Sequence, residues 1–201
     1  MTLDSLRPHM AGFVRPVARL SIRLGLTPNI STVLALIAAM IAGTAFWYRE
    51  IGIGVLFVAI NAFFDAIDGA IAREMGSAGV KGDFLDHVLD RYADIFIIIG
   101  IFAGGFAPWE VGVFALTGVL MSSYLGTQAQ AVGVGRYYGG LLGRADRLFL
   151  ILIAGIADIL YPSGLFDWTF LGGMLLVFGI LGHITAIQRF HFVWKELKKQ
   201  K

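Results

Sequence analysis

The chain has no cysteine and few charged residues. The absence of cysteine excludes a disulfide framework, a thiolate metal site and a cysteine nucleophile. Only 15% of the 201 residues are charged, whereas 57% are hydrophobic, and the mean hydropathy is +0.76. Intrinsic disorder and an ordinary cytosolic enzyme are therefore excluded, because one globular core cannot bury so many apolar side chains. The net charge is only +2 and no basic stripe carries interleaved aromatic residues, so we expect no nucleic-acid partner.

Long apolar runs fill most of the sequence. A membrane core of about 30 Å needs roughly 20 apolar residues of helix. Short segments with glycine, proline or charge separate six such runs. The runs are Ile30–Tyr48, Ile51–Ala72, Phe84–Pro108, Val111–Gln128, Leu148–Tyr161 and Trp168–Ile187. We therefore predict an all-α polytopic membrane protein with six transmembrane helices, although Asp158 and Pro162 leave the fifth short unless it begins near Asp146.

Basic residues concentrate on one side of this predicted topology. If both termini and the second and fourth connections share a side, that side carries all of the 16 Lys and Arg residues except Arg49. Because basic residues favour the cytoplasmic side, we predict a multi-pass cell-membrane protein with both termini in the cytoplasm. The carboxylates described below then also face the cytoplasm.

The predicted spans are flanked by two basic segments. Residues 1–28 are predicted to form an amphipathic helix in the membrane interface, because Arg15, Arg19 and Arg23 recur every four residues. A solvated basic segment that only sets the topology is the alternative. Residues 29–190 would form the transmembrane catalytic domain, and residues 191–201 a basic cytoplasmic tail.

Carboxylates occur where a span should be apolar. Asp65 and Asp68 lie near the cytoplasmic end of the second span, and Asp86 and Asp90 lie one helical turn apart on the third. Each aspartate costs roughly 2.5–3.5 kcal/mol at the centre of a bilayer and less near its surface. Antiparallel helices joined by a short loop would bring the four carboxylates together, so the set needs a compensating partner.

The clustered carboxylates predict a cation site. Like charges packed this closely cannot all ionise without a counter-charge, and oxygen-only ligands suit Mg²⁺ or Mn²⁺ better than zinc. Two such ions held by shared carboxylates are a common device for chemistry at phosphorus. Gly69 and Ala72 share the face of Asp65 and Asp68 and would let a phosphorylated ligand approach the helix, although small residues also occur at helix crossings.

Other classes of protein also use intramembrane carboxylates. An ion or proton transporter is the main alternative, but its relay would spread acids through the depth of several spans. A purely structural membrane protein would leave the cost of burying the carboxylates unexplained. A phosphatase or pyrophosphatase with water as acceptor would use the same metals. Single ion pairs, Asp68 with Arg73 or Asp90 with Arg91, are the simplest alternative for individual residues.

The aspartates belong to a longer pattern that resembles a known signature. The pattern is Asp65-x2-Asp68-Gly69-x2-Ala72-Arg73-x8-Gly82-x3-Asp86-x3-Asp90. It resembles the signature of the CDP-alcohol phosphatidyltransferase family at every fixed position. Thr27-Pro28-Asn29 before the first span is also similar to the family, so the resemblance covers essentially the whole chain.

The resemblance implies an enzyme of phospholipid biosynthesis. It would transfer a phosphatidyl or archaetidyl group from a CDP-linked lipid to an alcohol, release CMP, and act as a homodimer. Asp90 would be the general base, and one or two ions of Mg²⁺ or Mn²⁺, with two expected, would bind to Asp65, Asp68, Asp86 and Asp90. The CDP moiety would contact Asp65, Asp68, Gly69, Ala72, Arg73 and Gly82.

The acceptor alcohol is predicted from the basic residues before the fifth span. Arg144 and Arg147 are three residues apart and can face the acidic site together as a phosphate clamp, with Arg136 nearby. A clamp would select a phosphorylated alcohol such as inositol phosphate, with glycerol phosphate as the alternative. These arginines can instead be topological anchors. Inositol-phosphate synthases that the chain resembles often carry basic and acidic residues on the fourth span, whereas this chain has Gly126, Gln128 and Gln130.

Overall fold

The computed structural model describes residues 7–135, 137, 139–165 and 167–199. These residues form seven α-helices and one isolated β-bridge, between Leu165 and Trp168. The helices are α1 (Arg7–Arg23), α2 (Pro28–Trp47), α3 (Ile51–Glu74), α4 (Val80–Ala103), α5 (Trp109–Ala131), α6 (Arg144–Leu160) and α7 (Phe170–Lys199). The predicted all-α fold is confirmed. Three of the helices, α2, α3 and α7, are long and apolar enough to cross a membrane.

The helices pack around an apolar centre. Helix α2 lies against α3 and α4, helix α5 lies against α7, and α6 packs against α3 and α7. The largest fully buried side chains include Phe46, Phe178, Ile97 and Leu171. Many other large apolar side chains are exposed, among them Ile37, Ile53, Phe149, Ile153, Ile156 and Ile180. An apolar outer surface of this kind suits a membrane protein, because lipid rather than water covers it.

Glycines bring α2 and α4 into backbone contact. A Cβ atom at Gly100 of α4 would overlap the carbonyl oxygen of Gly43 on α2, and a Cβ at Gly43 would overlap the carbonyl of Phe96. Small residues at a helix crossing allow such close approach. Helix α4 is therefore fixed directly against α2.

Helix α1 packs on the end of α3 that carries the aspartates. Ala18 of α1 is buried with Ile67 and Ile71 of α3, and Arg19 donates a 2.6 Å hydrogen bond to Glu74. Thr27 then caps α2, because its hydroxyl accepts a 3.3 Å hydrogen bond from the Ile30 amide. Leu20 and Leu24 stay exposed on the outer side of this connection.

Three loops meet at the opposite end of the molecule. Arg49, between α2 and α3, donates a 2.8 Å hydrogen bond to the carbonyl oxygen of Gly104 between α4 and α5. Thr169, before α7, donates a 2.7 Å hydrogen bond to the carbonyl oxygen of Phe106 in the same loop. The connections 48–50 and 104–108 and the described residues of 161–169 therefore share one end.

The fifth apolar run and the described part of the predicted C-terminal tail are both helical. Helix α6 begins at Arg144, so the fifth run extends upstream of Leu148. Asp158 does not interrupt this helix; its carboxylate accepts hydrogen bonds of 2.7 and 2.9 Å from the amides of Phe170 and Leu171 and so caps α7. Helix α7 continues through the predicted tail as far as Lys199.

Candidate active site

The signature aspartates lie on two neighbouring helices. Asp65 and Asp68 are in the second half of α3, and Asp86 and Asp90 are in the first half of α4. One carboxylate oxygen from each of Asp65, Asp68 and Asp86 lies within 4.8 Å of the other two. An oxygen of Asp90 and one of Asp86 form a second such group with a ring nitrogen of His87. The predicted convergence of the four carboxylates is therefore observed.

Helix α2 contacts α3 through a row of polar groups. Thr32 Oγ1 lies 2.9 Å from Asp68 Oδ2 and also 3.0 Å from the carbonyl oxygen of Pro28. An ionised carboxylate only accepts hydrogen bonds, so the hydroxyl proton of Thr32 can stabilise the Asp68 anion. One turn further along, Asn61 Nδ2 donates a 2.8 Å hydrogen bond to the Ala35 carbonyl. These contacts fix the register of α3 against α2.

Arg144 projects from the first turn of α6 into the acidic cluster. Its Nη1 atom lies 2.5 Å from Asp90 Oδ1 and also forms an ion pair with Asp65. The Asp146 side chain accepts a 2.8 Å hydrogen bond from the Gly143 amide and so caps this helix end. Cations are disfavoured at a helix N-terminus by the helix dipole. The aspartates of α3 and α4 supply the opposing charge that holds Arg144 there.

Arg147 and Asp94 form a buried pair beside this contact. Arg147 Nη2 donates a 2.7 Å hydrogen bond to Asp94 Oδ2, and the two side chains are only 4% and 5% exposed. Arg91 Nη2 lies 3.6 Å from the same oxygen. The signature pattern gives no role to Asp94, although it follows Asp90 by one turn on the same face of α4. Most of Arg147 is thus turned toward protein rather than toward an open pocket.

The remaining predicted residues lie around the outer edge of the cluster. A Cβ atom at Gly69 would come within 3.3 Å of Arg73 Nη1, so the Arg73 side chain folds back over Gly69. A Cβ at Gly82 would meet no atom within 4 Å, and Ala72 is partly exposed. Arg136 lies outside the described residues.

A further arginine lies at the end of α5. Arg189 of α7 donates hydrogen bonds of 2.6 Å to the Ser122 carbonyl and 2.8 Å to the Gly139 carbonyl. A Cβ at Gly126 would come within 2.6 Å of Arg189 Nη1. The fourth predicted span lacks a basic residue at position 126, and a guanidinium from α7 lies against that position instead. Only the folded arrangement reveals this contact.

Comparison with known proteins decides the family. The family model described as CDP-alcohol phosphatidyltransferase matches residues 25–186. The chain belongs to the CDP-alcohol phosphatidyltransferase family. It is therefore a transferase of phospholipid biosynthesis associated with the membrane. The transporter and structural alternatives are set aside.

Individual members of the family are similar over nearly the full chain. The archaetidylinositol phosphate synthase of Methanothermobacter thermautotrophicus is 34% identical over 196 residues, which cover 98% of this chain and 96% of the relative. The phosphatidylinositol phosphate synthase of Mycolicibacterium smegmatis is 34% identical over 187 residues, which cover 89% and 82%.

Solved structures are similar as well. The crystal structure of Mycobacterium tuberculosis phosphatidylinositol phosphate synthase with CDP-DAG bound has a TM-score of 0.77 and 28% identity, and covers 90% of this chain and 93% of that one. The same enzyme with manganese and citrate has a TM-score of 0.76 at 27% identity, with 90% and 88% of the two chains covered.

Proposed function

We propose that this enzyme transfers a phosphatidyl or archaetidyl group from a CDP-linked lipid to a hydroxyl of inositol phosphate. The observation that carries the proposal is the grouping of the Asp65, Asp68 and Asp86 oxygens within 4.8 Å, with Arg144 beside them. The names of the similar synthases support inositol phosphate as the acceptor. The CDP-DAG bound in the similar crystal structure supports a CDP-lipid as the donor.

The carboxylates suit hard divalent cations. Asp65, Asp68 and Asp86 offer only oxygen ligands, and Asp90 extends the set, which favours Mg²⁺ or Mn²⁺. Asp94 brings the number of aspartates here to five, against the guanidinium groups of Arg91, Arg144 and Arg147 and that of Arg73 at the edge. One negative charge is therefore in excess, so added positive charge is also favoured electrostatically. The manganese in a similar structure supports this assignment. We propose that two ions bind here and supply positive charge that stabilises the pyrophosphate and the departing CMP.

The chain's own groups have distinct proposed roles in the transfer. Asp90 accepts the proton of the acceptor hydroxyl while that oxygen forms a bond to the lipid-side phosphorus of the donor. The bond from this phosphorus to the bridging oxygen breaks, and CMP leaves with that oxygen. Arg73, folded back over Gly69, is in reach of a phosphate of the CDP moiety, and Gly82 and Ala72 leave space at the same edge.

The acceptor phosphate is proposed to bind on the α6 side of the cluster. Arg144 is the member of the predicted clamp that reaches Asp90, the proposed base. An acceptor whose phosphate binds to Arg144 would therefore have its reacting hydroxyl near the Asp90 carboxylate. Arg147 would support the clamp from behind, and Arg136 stays a prediction.

We also propose the six-span topology with a cytoplasmic site. Helices α4 and α5, with 24 and 23 residues, are about 36 and 35 Å long, and α6, with 17, is about 25 Å long. The meeting of loops 48–50 and 104–108 with Thr169 at the end opposite the aspartates supports this arrangement. A homodimer is also proposed, and the mass of the detergent-solubilised protein tests it.

The decisive experiment is CMP release by the purified protein with Mg²⁺. CDP-diacylglycerol and its isoprenoid-ether counterpart are each incubated with inositol phosphate, glycerol phosphate, free inositol, serine or water alone. We expect release that requires inositol phosphate. Release with water alone would indicate a hydrolase, and release with another alcohol would replace the proposed acceptor.

Substitution of Asp90 tests the proposed base. Asp90→Asn should lower turnover by about 10²–10⁴-fold, because it removes general-base catalysis. Glu50→Gln is the matched control, since Glu50 is an exposed carboxylate at the opposite end and makes no side-chain capping bond. Equal loss of activity in both variants would contradict the role of Asp90.

A further inference from the structure

We propose that Asp94, which lies outside the family signature, is a positioning residue for the acceptor site. It orients Arg144, so that the acceptor phosphate binds next to Asp90. This inference rests on the proposed acceptor role of Arg144. It assigns a purpose to a buried carboxylate that the transfer reaction itself does not use.

Asp94 faces three guanidinium groups from two helices. Its Oδ2 atom lies 2.7 Å from Arg147 Nη2 and 3.6 Å from Arg91 Nη2, and its Oδ1 atom lies 3.8 Å from Arg144 Nε. Both carboxylate oxygens thus face arginines. Asp94 is 5% exposed, so these attractions are only weakly screened by water.

Without Asp94, the three cations would repel one another. Arg144 and Arg147 lie in the first turn of α6, where the helix dipole also disfavours positive charge. Arg144 has two other anionic neighbours, Asp65 and Asp90, which both contact its Nη1 atom. Asp94 is the neighbour on the Nε side, at 3.8 Å, and it therefore biases the orientation of the guanidinium by charge attraction rather than by a hydrogen bond.

The orientation of Arg144 matters because an arginine binds phosphate through a planar fork. A rotation of the guanidinium would keep its charge near the cluster but misalign its donors for an incoming phosphate. Removal of Asp94 should therefore weaken acceptor binding more than donor binding. If Asp94 served only to pair with Arg147, the prediction would differ. A variant that lacks both residues would then bind the acceptor as well as a variant that lacks Arg147 alone.

The experiment compares Arg147→Met with the double variant Asp94→Asn/Arg147→Met. Both lack Arg147, so they differ only in the charge that faces Arg144 and Arg91. The double variant has no unpaired carboxylate at this position, which favours its folding even if Asp94→Asn alone does not fold. The KM values for inositol phosphate and for the CDP-lipid, and the protection from thermal unfolding by inositol phosphate, are measured for both.

We expect the double variant to have a KM for inositol phosphate about tenfold above that of Arg147→Met, the size expected for a misplaced charged hydrogen bond. Its donor KM should match that of Arg147→Met, and inositol phosphate should protect it less from unfolding. Asp94→Glu, which keeps the charge, should remain closer to the wild type than Asp94→Asn. Equal acceptor KM values in the single and double variants would overturn the proposal.

Two controls separate this inference from the proposed function. Asp158→Asn alters another buried carboxylate, the cap of α7 at the opposite end, and should lower thermal stability while leaving the acceptor KM unchanged. If the wild type uses a different phosphorylated alcohol, the same comparison is made with that alcohol. A wild type with no CMP release for any phosphorylated acceptor would overturn both proposals, whereas an active wild type with equal variant KM values would overturn only the role of Asp94.

Discussion

Asp65 and Asp90 both contact the Nη1 atom of Arg144. The two carboxylate oxygens of Asp94 form ion pairs with three arginines. Buried charges of this kind are tolerated because charges of opposite sign lie next to them. The hydroxyl of Thr32 adds a neutral donor on the α2 side of Asp68. The remaining excess of negative charge is the physical basis for the proposed cation site.

Loss of one proposed ligand should weaken metal binding without unfolding the protein. Asp86→Asn keeps the shape of the side chain but removes an anionic oxygen. Loss of an outer-shell partner lowers metal affinity by about 10–100-fold. Because Asp86 is a proposed direct ligand, we expect Mn²⁺ affinity to fall by about 100-fold, the upper end of that range. Electron paramagnetic resonance titration of Mn²⁺ measures this. Glu110→Gln, the same chemical change at an exposed site on α5, should leave the affinity unchanged. Full affinity in Asp86→Asn would exclude Asp86 as a ligand.

The Thr32 hydroxyl should tune the same site from α2. Thr32→Val is nearly isosteric and removes the donor to Asp68, whereas Thr32→Ser retains it. We expect Thr32→Val to lower Mn²⁺ affinity by about 10–100-fold, as outer-shell changes do, and Thr32→Ser to stay near the wild type. The titration above distinguishes the two. If valine and serine behave alike, the hydrogen bond has no part in metal binding.

At the scale of the helices, the site depends on how closely α2 and α4 approach. Asp68 is positioned by its contact with α2, and Asp86 and Asp90 are carried by α4, which meets α2 at Gly43 and Gly100. The distance between the two sets of carboxylates thus depends on a crossing that allows no Cβ atom at Gly100.

A methyl group at this crossing should separate the helices. Gly100→Ala should destabilise the protein by about 1–3 kcal/mol through overpacking and should also lower Mn²⁺ affinity. Thermal unfolding in detergent measures the first effect. Gly173→Ala on α7 is the matched control, because a Cβ there meets no atom within 4 Å. Its expected effect is neutral or stabilising by up to about 1 kcal/mol. Comparable stability of the two variants would show that the crossing adapts.

The sequence predicts elements better than it predicts contacts between them. Hydropathy indicates the apolar helices, and helical periodicity places Asp86 and Asp90 on one face. The pairing of Asp94 with Arg147 could not be predicted, because it depends on where α6 packs relative to α4. In the sequence, Asp158 looks like an interruption of a span. Its role as a cap for α7 becomes visible only when the connection between α6 and α7 brings it next to the first amides of α7.

The two ends of the whole molecule differ in chemistry. One end carries the aspartate cluster, the arginines of α6 and the packed helix α1. The other end carries Arg49 and a group of exposed aromatic side chains, among them Trp47, Tyr48, Trp109 and Tyr161. Aromatic residues favour the membrane–water interface and basic residues favour the cytoplasmic side. Because aromatic residues occur at both interfaces, the distribution of the basic residues is what supports the proposed orientation of the enzyme.

The absence of cysteine makes the orientation directly measurable. Ser77 lies in the exposed connection between α3 and α4, and Ser163 lies in the exposed connection between α6 and α7. With the proposed topology, a membrane-impermeant maleimide should label Ser163→Cys in intact cells and Ser77→Cys only after permeabilisation. The unsubstituted chain is the control for background labelling, and both variants must keep CMP release. Labelling of Ser77→Cys from outside would invert the topology. It would also place the site away from the cytoplasm, where CDP-linked lipids and phosphorylated alcohols would then have to be supplied from the other side.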